Sequence, residues 1–285
     1  MENSTVITIE DDLDLGKIAV SGQCFRVREF DGGIFRFITG NNVIYMKRLC
    51  GDTDTSKASG ESSSYEISCS EEIWHEVWEP YFDLARSYAD IRRRSAGENQ
   101  FVDTAMDFGR GIRVLKQDAW EMLVTFIISQ RKNIPAISKS VDYIAERYGR
   151  PIVTEFETVH AFPNPEELSA ANEEDLRGCS LGYRAPYVAD AVRLVLSGEL
   201  DLEAIAKLGD EELFEELQKV HGVGKKVANC ICLFAYGRTG LVPVDVWIAR
   251  AIEQECEGVD PFAAFGDDAG IIQQYVFFYM TQVAK

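Results

Sequence analysis

The stretch from Leu217 to Asp245, LQKVHGVGKKVANCICLFAYGRTGLVPVD, constrains the fold more than any other part of the chain. Apolar residues repeat at helical spacing on both sides of the residues HGVG at 221–224, so the pattern predicts two helices joined by a tight glycine hairpin. Backbone N–H groups at the start of a helix bind anions such as phosphate. Lys226 follows the hairpin, and Asp245 follows a short extended segment. The stretch therefore predicts a phosphate-binding hairpin that is accompanied by an amine and a carboxylate.

Lys226 has the chemistry of a nucleophile when its amine is neutral. An ordinary lysine is protonated and inert at neutral pH. Burial, the positive end of the helix dipole and the like charge of Lys225 each favour the neutral amine. A carboxylate such as Asp245 would stabilise the positive charge that develops on a sugar as a glycosidic bond breaks. Both residues also have a structural alternative: Lys226 as a solvated helix lysine and Asp245 as the N-cap of the next helix.

The order of secondary structure predicts an α+β protein. Short β-branched and aromatic runs between glycine turns predict an antiparallel sheet near the N-terminus, and helical spacing takes over from Ser70. We expect an N-terminal antiparallel sheet subdomain with flanking helices at 1–116 and a mainly α-helical domain at 117–285. The second domain would hold the helix–hairpin–helix at about 210–236 and the aspartate loop at 240–246.

The predicted elements follow the chain in order. The strands are predicted at Cys24–Arg28, Ile34–Ile38, Val43–Met46 and Tyr65–Ile67, with an exposed loop at Gly51–Ser64. A helix is expected to begin at Ser70, and further helices are predicted at roughly 99–108, 117–129, 135–148, 165–170, 173–177, 185–197, 201–206, 210–219, 225–236, 246–255 and 267–283.

Charge and composition restrict the class of protein. A net charge of −18 counts against binding nucleic acid through the overall charge. Cations nevertheless collect at three loops, whereas acidic residues concentrate at 155–175 and 199–216, which are predicted to be solvated helix faces. No apolar run approaches the ~20 residues that cross a bilayer. The acidic N-terminus lacks a signal-peptide pattern, and seven scattered cysteines indicate free thiols in a reducing cytoplasm.

Four motifs together resemble the 8-oxoguanine DNA glycosylase/AP lyase branch of the helix–hairpin–helix base-excision DNA glycosylases, and the likeness covers most of the chain. The hairpin with VPVD is joined by SGQCFR at 21–26, by a helix and loop at 117–134, and by LGYRA at 181–185. This resemblance implies an enzyme that excises 8-oxoguanine opposite cytosine from duplex DNA. It would use a lysine Schiff base and β-elimination.

The resemblance also implies a role for each matching residue. Lys226 would attack C1′ of the damaged nucleotide, and Asp245 would support it. Gly22 would present its carbonyl to the N7–H that 8-oxoguanine has and guanine lacks. The flipped base would lie between Cys230 and Phe277, Gln273 would read its Watson–Crick edge, and Trp247 would line the pocket. DNA would be bound by Arg131, Lys132, Asn133, Arg184, His221, Gly222, Gly224 and Lys225.

The chain departs from the family pattern at three positions. His221 replaces the usual hairpin proline, Arg131 replaces an asparagine of the mammalian branch, and Trp247 replaces a histidine. Each carried-over role has an ordinary structural alternative. Gly22 could be a turn glycine, Cys230 and Phe277 core residues, Arg184 a surface ion-pair partner and Gln273 a solvated helix residue.

Three other functions compete with this interpretation. A non-catalytic helix–hairpin–helix DNA-binding protein would need the hairpin but neither Lys226 nor Asp245. A glycosylase for another damaged base would share the plan, but an iron–sulfur branch would need four cysteines after Asp245, where only Cys256 follows. A sugar-processing glycosidase would need a second catalytic carboxylate motif.

The expected cofactors, partners and location complete the sequence-based prediction. We expect no required cofactor, no catalytic metal and no iron–sulfur cluster, with a structural cation on the hairpin carbonyls as the one ion that the family implies. The partner would be double-stranded DNA that contains oxidised guanine, with no membrane. The protein would be a monomer in the cytoplasm with the nucleoid, or in the nucleus of a eukaryote.

Overall fold

The computed structural model describes residues 4–49 and 62–283, which form two compact units. The first unit contains the chain up to residue 37, residues 43–116 and the chain from residue 239 onward. The second contains residues 38–42 and 117–238. The sequence placed a domain boundary between residues 116 and 117 and left 117–285 in one domain. The structure instead returns the chain after Arg238 to the first unit.

An antiparallel sheet forms the N-terminal part of the first unit, as the sequence predicted, but it has five strands, and the strand at Thr5–Ile9 was not predicted. Its strands are β1 Thr5–Ile9, β2 Arg28–Phe30, β3 Ile34–Thr39, β4 Asn42–Arg48 and β5 Ser63–Ile67. They lie in the order β1-β5-β4-β3-β2, and β1 pairs with β5 antiparallel. Trp78, Phe82 and Phe37 pack in the core that this sheet covers.

The first predicted strand is wrong for most of its length. Of Cys24–Arg28, only Arg28 belongs to a strand. Cys24, Phe25 and Arg26 are all buried, with 4%, 6% and 5% of their surface exposed. Their burial does not by itself exclude a strand, because β3 also buries the consecutive side chains from Phe35 to Ile38. The predicted loop at Gly51–Ser64 lies outside the described residues up to Glu61, and Ser63 already belongs to β5.

Short helices complete the first part of this unit. Ser70 caps the helix predicted to begin there, because its Oγ accepts a hydrogen bond from the N–H of Ile73. The sequence had not predicted a helix at Leu15–Ala19 or at Tyr88–Ser95. The helices are α1 Leu15–Ala19, α2 Glu71–Ile73, a π-helical turn at Trp74–Trp78, α3 Glu79–Tyr81, α4 Tyr88–Ser95 and α5 Gln100–Phe108.

Residues 117–238 of the second unit are helical except for one small hairpin, and the sequence had not predicted that hairpin. Its strands β6 Pro151–Val153 and β7 Thr158–His160 pair antiparallel. The acidic side chains of the two helices at Leu202–Ile205 and Asp210–Leu217 are mostly exposed, as their charge pattern predicted. The helices are α6 Ala119–Ser129, α7 Ile134–Tyr148, α8 Pro165–Leu168, α9 Glu173–Gly178, a 3-10 turn at Gly182–Arg184, α10 Ala185–Leu196, α11 Leu202–Ile205, α12 Asp210–Leu217 and α13 Lys225–Phe234.

Two further helices return the chain to the first unit. They are α14 Val246–Glu255 and, after a 3-10 segment at Phe262–Asp268, α15 Ala269–Val283. Helix α15 packs against α5 and α14, and most of its residues from Ala269 to Met280 are buried. In the described part of the chain, no helix has the length and apolar character that a membrane span requires.

Candidate active site

The glycine hairpin between α12 and α13 has the geometry that its sequence predicted. Gly222 has φ +86°, a left-handed conformation that L side chains rarely adopt. A Cβ atom at this position would lie 2.4 Å from Cδ2 of the Tyr187 ring. Both the backbone conformation and the close approach of Tyr187 therefore require glycine here.

Neighbouring helices hold the hairpin from two sides. The N–H of His221 donates to Oδ2 of Asp190 on α10 at 3.0 Å, and the His221 ring meets the edge of Tyr187 at 4.6 Å between centroids. Gln130, which follows α6, donates from Nε2 to the carbonyl of Gly222 at 3.1 Å. These contacts involve Gln130, Tyr187 and Asp190, which sequence reasoning had missed because their partners are distant along the chain.

Helix α13 begins immediately after the hairpin and presents its N-terminus there. Gly224 is the N-cap residue and has no side chain to bond the first N–H groups of the helix. Such groups have no acceptor within the helix and bind anions. Lys225 is exposed at the first position, and Lys226 is half-buried at the second. The hairpin therefore combines backbone donors with two amines.

The side chain of Lys226 is placed by an aromatic pair. Its Nζ lies 5.5 Å from the ring centroid of Phe126, and that ring stacks on Phe234 with a centroid separation of 5.5 Å. Cys230, one turn further along α13, is 3% exposed. Lys226 and Cys230 thus lie on one helix of the second unit, with the amine at its N-terminal end.

The predicted DNA-binding residues of the second unit fall into two groups. Arg131, with φ +54°, and Asn133, which caps α7 by accepting from the N–H of Ala136, are exposed. Lys132 instead donates from Nζ to the carbonyl of Ser180 at 2.6 Å.

Arg184 is also bonded to the protein. It is 6% exposed, and its guanidinium donates to the carbonyl of Gln130 and, at 3.2 Å, to that of Leu181. The alternative in which Arg184 is a surface ion-pair partner is therefore wrong. Lys132 and Arg184 therefore bond to the protein itself, and they hold the loop that carries the exposed Arg131 and Asn133.

Asp245 caps α14 in the first unit. Its Oδ1 accepts hydrogen bonds from the N–H groups of Trp247 at 3.0 Å and Ile248 at 2.9 Å. Trp247 is half-buried, and the guanidinium carbon of Arg250 lies 4.9 Å from the centroid of its ring. Both bonds use the same oxygen of the carboxylate, so capping and a chemical role are compatible.

Gly22, Gln273 and Phe277 also belong to the first unit. Gly22 has φ +76°. Gln273 is 3% exposed, and no described residue gives its Oε1 a hydrogen bond. The alternative of a solvated glutamine is therefore wrong. Phe277 follows one helical turn later and is half-buried, so the two side chains share a face of α15. A buried amide oxygen without a donor costs about 1–3 kcal/mol, which a bound polar ligand would recover.

Two family models together match residues 5–256. One is the 8-oxoguanine DNA glycosylase N-terminal domain at 5–123, and the other is the HhH-GPD superfamily base excision DNA repair protein at 124–256. A probable N-glycosylase/DNA lyase of Methanothermobacter thermautotrophicus is 30% identical over 230 residues, which cover 70% of this chain and 72% of that protein. The chain belongs to the 8-oxoguanine DNA glycosylase family.

Other proteins are similar to this chain in fold or in sequence. The N-glycosylase/DNA lyase of Saccharomyces cerevisiae is 32% identical over 182 residues, 58% of this chain, and the match spans about half of the yeast protein, 48%. MBOgg1 in complex with a low-affinity DNA ligand has a TM-score of 0.90 and 33% identity, over 99% of this chain and 97% of that one. A 3-methyladenine DNA glycosylase from Archaeoglobus fulgidus shares the fold alone, with a TM-score of 0.74 and 19% identity.

One structural neighbour was solved with a damaged duplex. The Clostridium acetobutylicum 8-oxoguanine glycosylase/lyase, in complex with DNA that contains cytosine opposite 8-oxoG, has a TM-score of 0.86 and 31% identity. The match covers 100% of both chains.

Among the described residues, no cluster of three or more His, Cys, Asp or Glu side chains is arranged to hold a metal ion. The described cysteines are free thiols, and burial raises the pKa of Cys232 to about 12 and that of Cys24 to about 12. Such buried thiols are protonated at neutral pH.

Gly222→Ala is expected to destabilise the protein by about 2–5 kcal/mol, because it combines a left-handed backbone with a clash against Tyr187. Gly198→Ala is the matched control. Gly198 has φ +75°, but nothing lies within 4 Å of its Cβ position, so only the backbone cost of about 1–2 kcal/mol applies. Denaturant unfolding measures both free energies. Equal losses in the two variants would show that contact with Tyr187 does not shape the hairpin.

Proposed function

We propose that this enzyme is a bifunctional DNA glycosylase and AP lyase that removes 8-oxoguanine opposite cytosine from duplex DNA. The observation that carries the proposal is the position of Lys226, half-buried at the second residue of α13 and directly behind the glycine hairpin. A non-catalytic DNA-binding hairpin has no need of an amine there. The names of the relatives, N-glycosylase/DNA lyase and 8-oxoguanine glycosylase/lyase, support the same activity.

The proposed reaction begins with flipping, because the glycosidic bond is inaccessible while the base is stacked. The neutral amine of Lys226 attacks C1′, the N–C1′ bond forms, and the base leaves with the electrons of the glycosidic bond. The carboxylate of Asp245 stabilises the positive charge that develops on the sugar. Opening of the sugar ring then gives a Schiff base between Lys226 and C1′.

Strand cleavage follows from that Schiff base. The imine acidifies the proton on C2′, and removal of this proton expels the 3′ phosphate by breaking the C3′–O bond. The product is an unsaturated sugar that stays bound to the enzyme until water hydrolyses the imine and frees Lys226. The same lysine thus serves both the glycosylase and the lyase step.

Base recognition is assigned to the residues that line the proposed pocket. The carbonyl of Gly22 accepts the N7–H of 8-oxoguanine, a bond worth about 1–3 kcal/mol in a dry site, or about tenfold to a hundredfold in rate. The buried Oε1 of Gln273, which has no donor among the described residues, accepts from the Watson–Crick edge. Cys230 and Phe277 contact the two faces of the base, and Trp247 lines the pocket beside Asp245.

DNA binding by so acidic a chain is assigned to a small surface. His221, Gly222, Gly224 and Lys225 bind a phosphate with backbone and side-chain donors. The exposed Arg131 and Asn133 contact the strand opposite the lesion, while Lys132 and Arg184 hold the loop that carries them. The proposed enzyme works as a monomer on double-stranded DNA, in the nucleoid of the cytoplasm or in a nucleus.

A structural cation is also part of the proposal. The carbonyl of Val220 accepts from the N–H of Val223 at 3.0 Å, and that of Gly222 accepts from Gln130, so each keeps one lone pair for an ion. A cation bound there would hold the hairpin backbone and would take no part in the chemistry.

Borohydride trapping on defined duplexes tests the function. We expect a covalent adduct with DNA that contains 8-oxoguanine opposite cytosine, and faster base release from it than from duplexes with other lesions or other opposing bases. Intact binding without any adduct would indicate a non-catalytic DNA-binding protein. An adduct with a different lesion only would indicate a glycosylase for another damaged base.

A further inference from the structure

The turn that contains Gly22 lies in a frame of buried hydrogen bonds. Gln23, which is fully buried, donates from Nε2 to the carbonyl of Arg113 and to Oγ of Ser21, both at 2.9 Å. Its Oε1 accepts from the N–H of Leu115 at 2.8 Å. The Ser21 hydroxyl donates to the carbonyl of Ile18 at 2.8 Å.

The direction of every bond in this frame is determined by its partners. The N–H of Leu115 can only donate, so the Gln23 oxygen must face it, and the carbonyl of Arg113 can only accept, so the amide nitrogen must face that carbonyl. The second N–H of Gln23 then points at Oγ of Ser21. The Ser21 hydroxyl therefore donates its own proton to the carbonyl of Ile18. The frame has one arrangement of donors and acceptors, which makes it rigid.

Gln274, on α15, adds one more hydrogen bond to this frame. Its side chain is 2% exposed, and its Nε2 donates to the backbone carbonyl of Ser21 at 2.7 Å. In a trans peptide the carbonyl and the next N–H point in opposite directions. The bond from Gln274 therefore sets the orientation of the whole Ser21–Gly22 peptide plane.

Gly22 consequently lies between two anchored neighbours. Gln274 holds the peptide before it, and the side chain of Gln23 holds the residue after it. Gly22 itself has no side chain and has φ +76°, so nothing of its own fixes the direction of its carbonyl. That direction is set by the frame.

We propose that Gln274 is a positioning residue for base discrimination: it acts through Ser21 to aim the carbonyl of Gly22 at the damaged base. The inference rests on the proposed function, which assigns recognition of N7–H to that carbonyl. Gln273 and Gln274 are consecutive on α15 and point about 100° apart. One faces the proposed pocket with an unpartnered oxygen and the other faces the frame, so the register of a single helix sets both contacts.

Gln274→Met tests this role, because methionine has a similar length but no N–H donor. We expect excision of 8-oxoguanine opposite cytosine to slow by about tenfold to a hundredfold, the effect of one hydrogen bond. Cleavage at a preformed abasic site should stay within about twofold of wild type, because that substrate has no base for Gly22 to read. The measured quantity is the single-turnover rate of 8-oxoguanine excision divided by the single-turnover rate of cleavage at the abasic site, on otherwise identical duplexes.

Two further variants separate positioning from folding. Ile91→Val shortens a fully buried side chain of α4 that makes none of the hydrogen bonds of the frame, and it should lower the unfolding midpoint without changing the rate ratio. Gln274→Asn keeps an amide but withdraws it by one methylene, and should lower the ratio by a smaller factor than Gln274→Met.

The outcomes distinguish this inference from the proposed function. Wild-type protein that releases no 8-oxoguanine would contradict the proposed function itself. If wild-type protein is active, a rate ratio in Gln274→Met equal to that of wild type would overturn the positioning role, whether both rates fall together or neither changes. Failure of both Gln274 variants to fold would also overturn it, since Gln274 would then be needed for folding rather than for aiming Gly22.

Discussion

Lys226→Gln is expected to abolish covalent trapping and to reduce both base release and strand cleavage by at least about a thousandfold. The reason is that glutamine cannot form the N–C1′ bond on which both steps depend, and loss of a covalent nucleophile is among the largest effects of a single substitution. Glutamine keeps the length and polarity of the side chain at the N-terminus of α13. The expected loss is therefore one of chemistry, measured by single-turnover rates on an 8-oxoguanine duplex and on an abasic duplex.

Lys225→Gln is the matched control for this prediction. Lys225 precedes Lys226 on the same helix turn but is exposed, and its proposed role is to bind phosphate. We expect weaker DNA binding at physiological salt and an unchanged rate at saturating enzyme. A Lys226→Gln enzyme that still forms a borohydride adduct would show that another amine is the nucleophile.

Asp245→Asn is expected to slow base release by about a hundredfold or more while leaving the free energy of unfolding nearly unchanged. Asparagine caps helices as well as aspartate does, because its side-chain oxygen accepts from the same two N–H groups. It carries no charge, however, and so cannot stabilise the cationic sugar. Rates measured with enzyme in excess, together with denaturant unfolding, separate the two quantities.

Asp245→Ala removes both functions of this side chain. Besides the loss of rate, we expect α14 to lose about 1 kcal/mol of stability, because its first N–H groups lose their acceptor. Equal activity in wild type and Asp245→Asn would mean that Asp245 is a helix cap only, which was the structural alternative from the start.

The parts of the site that the sequence predicted are those determined by local geometry. The hairpin at Gly222 follows from the need for a left-handed residue between two amphipathic stretches. The cap at Asp245 follows from its place directly before α14. Both depend on residues within a few positions of one another, which is the range over which sequence patterns determine structure.

The features that the sequence did not predict depend on distant partners. Arg184 reads as a surface residue in a basic turn, but its acceptor at Gln130 lies 54 positions away. Gln274 bonds Ser21 across 253 positions, and neither residue carries a local sign of that contact. The hairpin of β6 and β7 has strands of only three residues, too few to show an alternating pattern.

The division of the chain between the two units has a consequence for how the protein is made. The second unit has all of its sequence once Arg238 has been synthesised, whereas the first unit lacks α14 and α15 until the segment from residue 239 onward follows. The hairpin and Lys226 are therefore synthesised before Asp245, Gln273 and Gln274. A chain that terminates within this last segment before Gln273 would keep the phosphate-binding hairpin, the nucleophile and Gly22, but would lack Gln273, Gln274 and Phe277, which are proposed to read the base or to position the group that reads it.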